Sequence, residues 1–264
     1  MNVYLMVDIE GISGVYTKAQ VFVSEGRIAE GRKYMTDDIN ACMRGLKEAG
    51  VDKIYVQDCH GSGNTVNWSD ISDDADYVIS GEVRDKRFPG IEDCDAVILL
   101  GYHAMAGAHA AILEHSWSSM KIQNLWVNGE KAGEILMDAV IAGEYGKPII
   151  MVSGDDKACS EAKAILPDTV TAEVKKGLST FGGMLLPPAK AHKLIQEKAK
   201  EAVLAFEKIK PFSIPKPVEI QIELIERTLL PYENRHPGIT HIDGRTFKIT
   251  ADTMEEALFK SMIF

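Results

Sequence analysis

The 264-residue chain reads as an α/β protein: a mostly parallel sheet flanked by helices in a three-layer, Rossmann-like arrangement, with a smaller C-terminal α+β unit. Short aliphatic and β-branched runs alternate with amphipathic stretches through most of its length. Polar, chemically capable residues gather just after those runs. Near Gly182-Gly183 and Pro187-Pro188 the alternation breaks and a long Ala/Lys/Glu-rich helix takes over. The expected units are therefore residues 1–186, carrying the chemistry, and 187–264, serving oligomerisation or substrate cover.

Val3–Val7 is the first expected strand. After a loop, Met35, Ile39, Met43 and Leu46 recur at helical spacing and stop at Gly50. Further strands are expected at Lys53–Gln57, Tyr77–Ser80, Ala96–Leu100 and Pro148–Val152, each bounded by Gly, Asp or charged residues. Before the last of these, Asn128-Gly129 favours positive φ at both centres of a hairpin turn, and Gly133–Tyr145 follows as a helix with Ile135, Leu136, Ala139 and Val140 on its apolar stripe. Asp155 or Asp156 caps the next helix. In the tail, Leu194, Ile195, Ala202, Val203 and Phe206 mark the long helix, and Val218–Leu224 and Thr246–Thr250 alternate like half-solvated strands. Thr253-Met-Glu-Glu256 opens the last helix as a capping box.

A chain that is 45% hydrophobic and 26% charged builds a real core. Its 29 basic against 39 acidic residues give a net charge of −10, which repels phosphate backbones and anionic lipid, so no nucleic-acid or membrane partner is expected. No apolar stretch approaches the ~20 residues that span a bilayer. The first residues show neither a basic leader nor a small-residue cleavage site, and Cys42, Cys59, Cys94 and Cys159 lack the density or CxxC spacing of a disulfide scaffold or zinc ribbon. A reducing cytoplasm is the expected location.

Four expected strands end in Val7-Asp8-Ile9-Glu10, Val56-Gln57-Asp58-Cys59-His60, Leu100-Gly101-Tyr102-His103 and Val152-Ser-Gly-Asp-Asp156. Open parallel sheets bind ligands at that edge. Asp8 and Glu10 are two apart, so an extended backbone turns both carboxylates to one side and Ile9 to the core. Adjacent carboxylates repel unless a cation compensates them, and His60 and His103 complete a donor set suited to zinc or a similar divalent ion. Glu134 is a fifth candidate ligand, its bland alternative being a favourable carboxylate at a helix N-terminus. Five ligands exceed one tetrahedral zinc with an open position, which points to two metal ions bridged by Asp8, with manganese and cobalt open beside zinc. Alternation turns Cys59 away from His60 as an inert thiol, while Asp58 and Asp155 orient a ligand or cap a loop. Gly61-Ser-Gly63 lacks the third glycine, Val66 standing there, and no helix start follows, so a dinucleotide site is discounted. Lys175-Lys176 either meets a substrate carboxylate or forms a solvated edge.

Asp8-Ile-Glu-Gly-Ile-Ser-Gly14, Asp58-Cys-His60, Gly101-Tyr-His-Ala-Met-Ala-Gly107, His115-Ser-Trp, Asn128-Gly-Glu-Lys-Ala-Gly-Glu134 and Val152-Ser-Gly-Asp-Asp156 together resemble the motif set of the zinc-dependent D-aminopeptidase family, often labelled dipeptide transport proteins. The likeness runs in matching order over residues 1–190 and is mainly one of layout beyond. It implies a dinuclear zinc centre on Asp8, Glu10, His60, His103 and Glu134, with the catalytic histidine at His115. It also implies a preference for D-residues such as D-Ala, and a homo-oligomer, a decamer whose active sites face an internal channel. The chain departs from the family in the loop after His103, with an extra His109, read as a surface residue, and with Glu114 directly before His115. If those two side chains face each other, the carboxylate raises the pKa of His115.

The expected reaction is metal-assisted hydrolysis of short peptides with a free N-terminus, His115 stabilising the tetrahedral oxyanion or protonating the leaving amine. Two rivals are a non-catalytic cytoplasmic peptide-binding or transport-associated protein and a dinuclear phosphoesterase. The net charge of −10 and the lack of a basic phosphate clamp weigh against the second.

Overall fold

The computed structural model describes residues 1–81, 83, 86–233 and 238–261. Along the chain run β1 (Asn2–Val7), α1 (Ile28–Glu48), β2 (Lys53–Asp58), β3 (Tyr77–Ile79), β4 (Ala96–Leu100), β5 (Ile122–Val127), β6 (Glu130–Lys131) and α2 (Glu134–Glu144). There follow β7 (Ile149–Asp155), α3 (Asp156–Ile165), β8 (Val170–Ser179), β9 (Gly182–Leu185), α4 (Pro188–Ala205), β10 (Val218–Leu224), β11 (Ile239–His241), β12 (Thr246–Ala251) and α5 (Met254–Ser261).

Seven strands form the large sheet in the order β3-β2-β1-β4-β7-β8-β9, parallel throughout except at the β8–β9 hairpin. Every residue of β4 is buried, as a central parallel strand covered on both faces requires. Alternation splits β1 between two cores. Val3, Leu5 and Val7 pack with α1 and α4, whereas Tyr4 and Met6 face the side built from α2, α3, α5 and the second sheet. That second sheet is antiparallel, in the order β11-β12-β10-β5-β6.

From β1 the large sheet grows one way through β2 and β3 and the other way through β4, β7 and β8. The crevice between β1 and β4 is therefore the switch point at which such sheets bind ligands. Two glycines let the backbones approach there. A Cβ on Gly101 would lie 2.3 Å from the Asp8 carbonyl oxygen, and one on Gly11 2.0 Å from that of Tyr102.

Several expectations are met in detail. Asn128 and Gly129 sit at φ 49° and 87°, turning β5 into β6. Asp155 is the residue that caps α3, its carboxylate accepting from the Lys157 and Ala158 N–H groups. Thr253 accepts from the Glu256 N–H, while the Glu256 carboxylate reaches the Asp252 N–H.

Elsewhere the fold differs. Strand β7 runs three residues past the expected Val152, and β8 and β9 are strands where none was expected. The elements after residue 187 do not keep to themselves. Helix α4 lies on α1, so close that a Cβ on Gly45 would sit 2.2 Å from the Gln196 carbonyl oxygen, and its Ala191, Ile195, Ala199 and Ala202 enter the same core as Met35, Ile39 and Met43. The second sheet in turn takes β5 and β6 from earlier in the chain. An amphipathic stripe says that a helix must be covered, not by what.

Candidate metal centre

Asp8 follows β1 directly, and the chain bends at Ile9 rather than remaining extended. The bend still puts both carboxylates on one side. His60 Nδ1 lies 3.2 Å from Asp8 Oδ1 and 3.2 Å from Glu10 Oε2, while Ile9 enters the core. From the end of β4, His103 Nε2 comes to 3.4 Å from Asp8 Oδ2 and 3.2 Å from Glu134 Oε1. His115 Nε2 lies 3.8 Å from the same Glu134 oxygen, its ring stacked on that of His103 with centroids 3.9 Å apart. All six residues singled out in the sequence thus meet at one point, with Asp8 touching both His60 and His103. Ligand-capable atoms of Asp8, Glu10 and His103 form one compact trio, and those of His103, His115 and Glu134 a second.

The three rings share a device. His60 Nε2 faces the Val21 carbonyl at 3.1 Å, His103 Nδ1 that of Ala104 at 3.0 Å, and His115 Nδ1 that of Leu113 at 2.9 Å. A carbonyl only accepts, so each of these nitrogens carries a proton, and the other nitrogen of each ring is the one turned toward the carboxylates, where a cation would replace any proton it holds. Tying the distal N–H of a ligand imidazole in this way fixes its tautomer and its orientation.

The electrostatics call for positive charge. Burial opposes charge on His103, yet the nearby Glu134, Asp8 and Glu10 carboxylates raise it to about 10, and His60 is raised in the same contest. Burial likewise opposes ionisation of Glu10 and Glu134, but the surrounding imidazoles hold both below the usual carboxylate range. Glu10 Oε2 and His103 Nε2 are nevertheless buried without a hydrogen-bond partner. Orphaned lone pairs on a carboxylate and imidazole cluster are what a divalent cation satisfies, so the donor set fits zinc.

Asp58 and Asp155 do the supporting work expected of them. Asp58 accepts from the Thr65, Val66 and His60 N–H groups and so shapes the turn that presents His60. Asp155 also accepts from the Ile112 N–H in the loop that carries His115. That loop holds Leu113 and Trp117 at φ 55° and 66°, unusual for bulky residues and sustained here by bonds from the Leu113 N–H to Thr180 O and from the Trp117 N–H to Glu134 Oε1. Glu114 turns to the Gly107 N–H rather than to His115, and His109 is exposed.

Two arrangements were not legible in sequence. Lys175 is neither a solvated edge nor a substrate contact. It is 2% exposed and donates to the carbonyls of Glu10, Ile12 and Val15 at 2.6, 2.8 and 2.6 Å, pinning the loop that bears Glu10. Burial pushes it down to about 7, yet three acceptors require three N–H donors, which only the ammonium form supplies. Below the cluster, Asp138 takes both Arg87 Nε and Nη2, at 2.8 and 2.9 Å, and the Tyr102 hydroxyl at 2.6 Å. Arg87 in turn lies 4.7 Å from the Trp117 ring centre. The available signal was the spacing of Glu134 and Asp138, one turn apart on α2.

A cleft of about 820 Å³ opens over the cluster, lined by Asp8, Glu10, His60, Glu134 and His115, with Phe22 and Trp117 among its walls. This is the size of a small-molecule or short-peptide site. No helix among the described residues is long and apolar enough to cross a membrane, and all four cysteines are unpaired.

Residues 1–262 match the D-aminopeptidase family, peptidase M55. A D-aminopeptidase of Bacillus subtilis (strain 168) is 32% identical over 250 residues, covering 93% of this chain and 89% of that protein. The solved structure of the zinc-dependent D-aminopeptidase DppA from Bacillus subtilis, described as a self-compartmentalizing protease, superposes with a TM-score of 0.93 at 30% identity, over 100% of this chain and 96% of the other.

Proposed function

The chain belongs to the D-aminopeptidase family, and on that premise we propose that it is a zinc-dependent aminopeptidase releasing N-terminal D-residues from short peptides such as D-Ala-D-Ala. Asp8, Glu10, His60, His103 and Glu134 would hold two zinc ions, and His115 acts on the substrate. The orphaned buried atoms Glu10 Oε2 and His103 Nε2 carry this reading. Zinc bound there supplies Lewis acidity toward a carbonyl oxygen and compensates the carboxylates.

The remaining steps fall to the chain itself. The carboxylates at the cluster attract the peptide's free ammonium end. His115, its Nδ1–H held by the Leu113 carbonyl, offers Nε2 at the reacting carbonyl, taking a proton there or returning one to the leaving amine. The fixed Trp117 backbone keeps Glu134 oriented. Phe259 of α5 lines the same cleft, which supports a covering role for the C-terminal residues. By the same family resemblance the chain assembles as a homo-oligomer, a decamer, to be read from its mass in solution. Its unpaired thiols fit a cytoplasmic setting.

Elemental analysis with a paired D-Ala-D-Ala and L-Ala-L-Ala assay tests this: close to two zinc ions per chain and turnover of the D-peptide are expected. Full activity in metal-free protein would refute it. His115→Ala should keep its zinc and lose turnover about a hundredfold or more. Loss of zinc instead would make His115 a ligand.

A further inference from the structure

Among the described residues, one buried cation of the cleft is left without a counter-charge. Arg32, on α1 one turn before Thr36, lines the same cleft as Asp8, Glu10 and His60. It forms no ion pair among the described residues, and its Nε is buried without a hydrogen-bond partner. The other cations of that cleft are engaged or hydrated: Arg87 is held by Asp138, Lys86 is paired with Glu92, and Lys121 is exposed.

An unsatisfied buried N–H carries a desolvation cost, and proteins rarely leave one without a reason. Carboxylates are not scarce in this chain, which has 39 acidic against 29 basic residues, yet among the described residues none pairs with Arg32. A guanidinium is a planar fork of N–H donors whose natural complement is a carboxylate. A linear dipeptide of alanine carries one carboxylate, at the end opposite the amine.

We propose that Arg32 receives the C-terminal carboxylate of the peptide, so that the cleft selects short substrates ending in a free acid. This rests on the reading that peptides are hydrolysed at the carboxylate–imidazole cluster. With the amine drawn to the cluster and the carboxylate to Arg32, both ends of the peptide are recognised. The distance between the two charged regions then limits peptide length.

The test compares D-Ala-D-Ala with its C-terminal amide on the zinc-loaded wild type, Arg32→Gln and Arg32→Lys. The wild type is expected to show a KM for the amide about ten- to a hundredfold above that for the acid, as a lost charge-assisted pair would give. In Arg32→Gln that ratio should fall toward one, through KM more than through kcat, and Arg32→Lys should restore part of it. Equal KM values in the wild type, or a rise of both by the same factor in Arg32→Gln, would overturn the proposal. Should Arg32→Gln fail to fold, the wild-type ratio and Arg32→Lys still decide. Wild-type protein that cleaves neither peptide sinks the aminopeptidase reading and this inference together. Cleavage without acid–amide discrimination sinks the inference alone.

Discussion

Asp138→Ala should be among the costliest single substitutions in this protein. The carboxylate is wholly buried and takes two bonds from Arg87, whose own side chain is 10% exposed, and a third from the Tyr102 hydroxyl. Removing it strands a buried guanidinium, which costs about 3–5 kcal/mol, and a hydroxyl, which adds about 1 kcal/mol. Arg87→Met strands the carboxylate instead and should cost a similar amount. The double variant Arg87→Met with Asp138→Ala buries neither charge, so its loss should be about 2 kcal/mol or more smaller than the sum of the singles. Urea unfolding at one fixed protein concentration measures all three, since an oligomer's stability depends on concentration. Singles costing under about 1 kcal/mol, or losses that simply add in the double variant, would show that the pair is not an isolated buried unit.

Glu161 gives a pH-dependent counterpart. Burial raises its carboxyl to about 7 from an ordinary 4.5, one oxygen accepting from the Met105 N–H and the other lacking a partner. A raised carboxyl binds its proton more tightly in the folded state, so its contribution to stability is full below pH 4.5 and lost as pH rises through about 7. Glu161→Gln in metal-free protein should therefore be neutral at pH 4 and more stable by about 3 kcal/mol at pH 8; an equal gain at both would contradict this. Lys175→Met should weaken zinc affinity about 10–100-fold, measured by chelator competition, because the Glu10 carbonyl loses its anchor. Chelation should lower the thermal midpoint and zinc should restore it, by about 4 kcal/mol of stability at a thousandfold excess over Kd; a midpoint indifferent to chelator speaks against a bound cation.

Much of the fold was legible because its signals are local. Alternating buried runs, the Asn128-Gly129 turn and the Asp155 cap each depend on residues a few positions apart, and each appears where expected. The candidate cluster was legible because parallel strands deliver their C-terminal residues to one edge, which places Asp8, His60 and His103 together once strand order is right. Lys175 and Asp138 were not. Lysine in a charged pair reads as solvated, and its burial follows from three carbonyls of a loop about 160 residues earlier. The unit boundary at 187 was likewise a local break in pattern, which says nothing of the partners that β5 and α4 choose.

The amino-acid order by itself settled which residue types end each strand, and therefore the chemistry on offer: carboxylates and imidazoles, with glycines where backbones must nearly touch. Only the folded chain decided their mutual distances, which imidazole nitrogen faces the cluster, and which charges are matched. Arg87 meets Asp138, and Arg32 Nε meets no partner among the described residues, because burial and pairing belong to the whole three-dimensional neighbourhood, assembled from segments that are strangers in sequence.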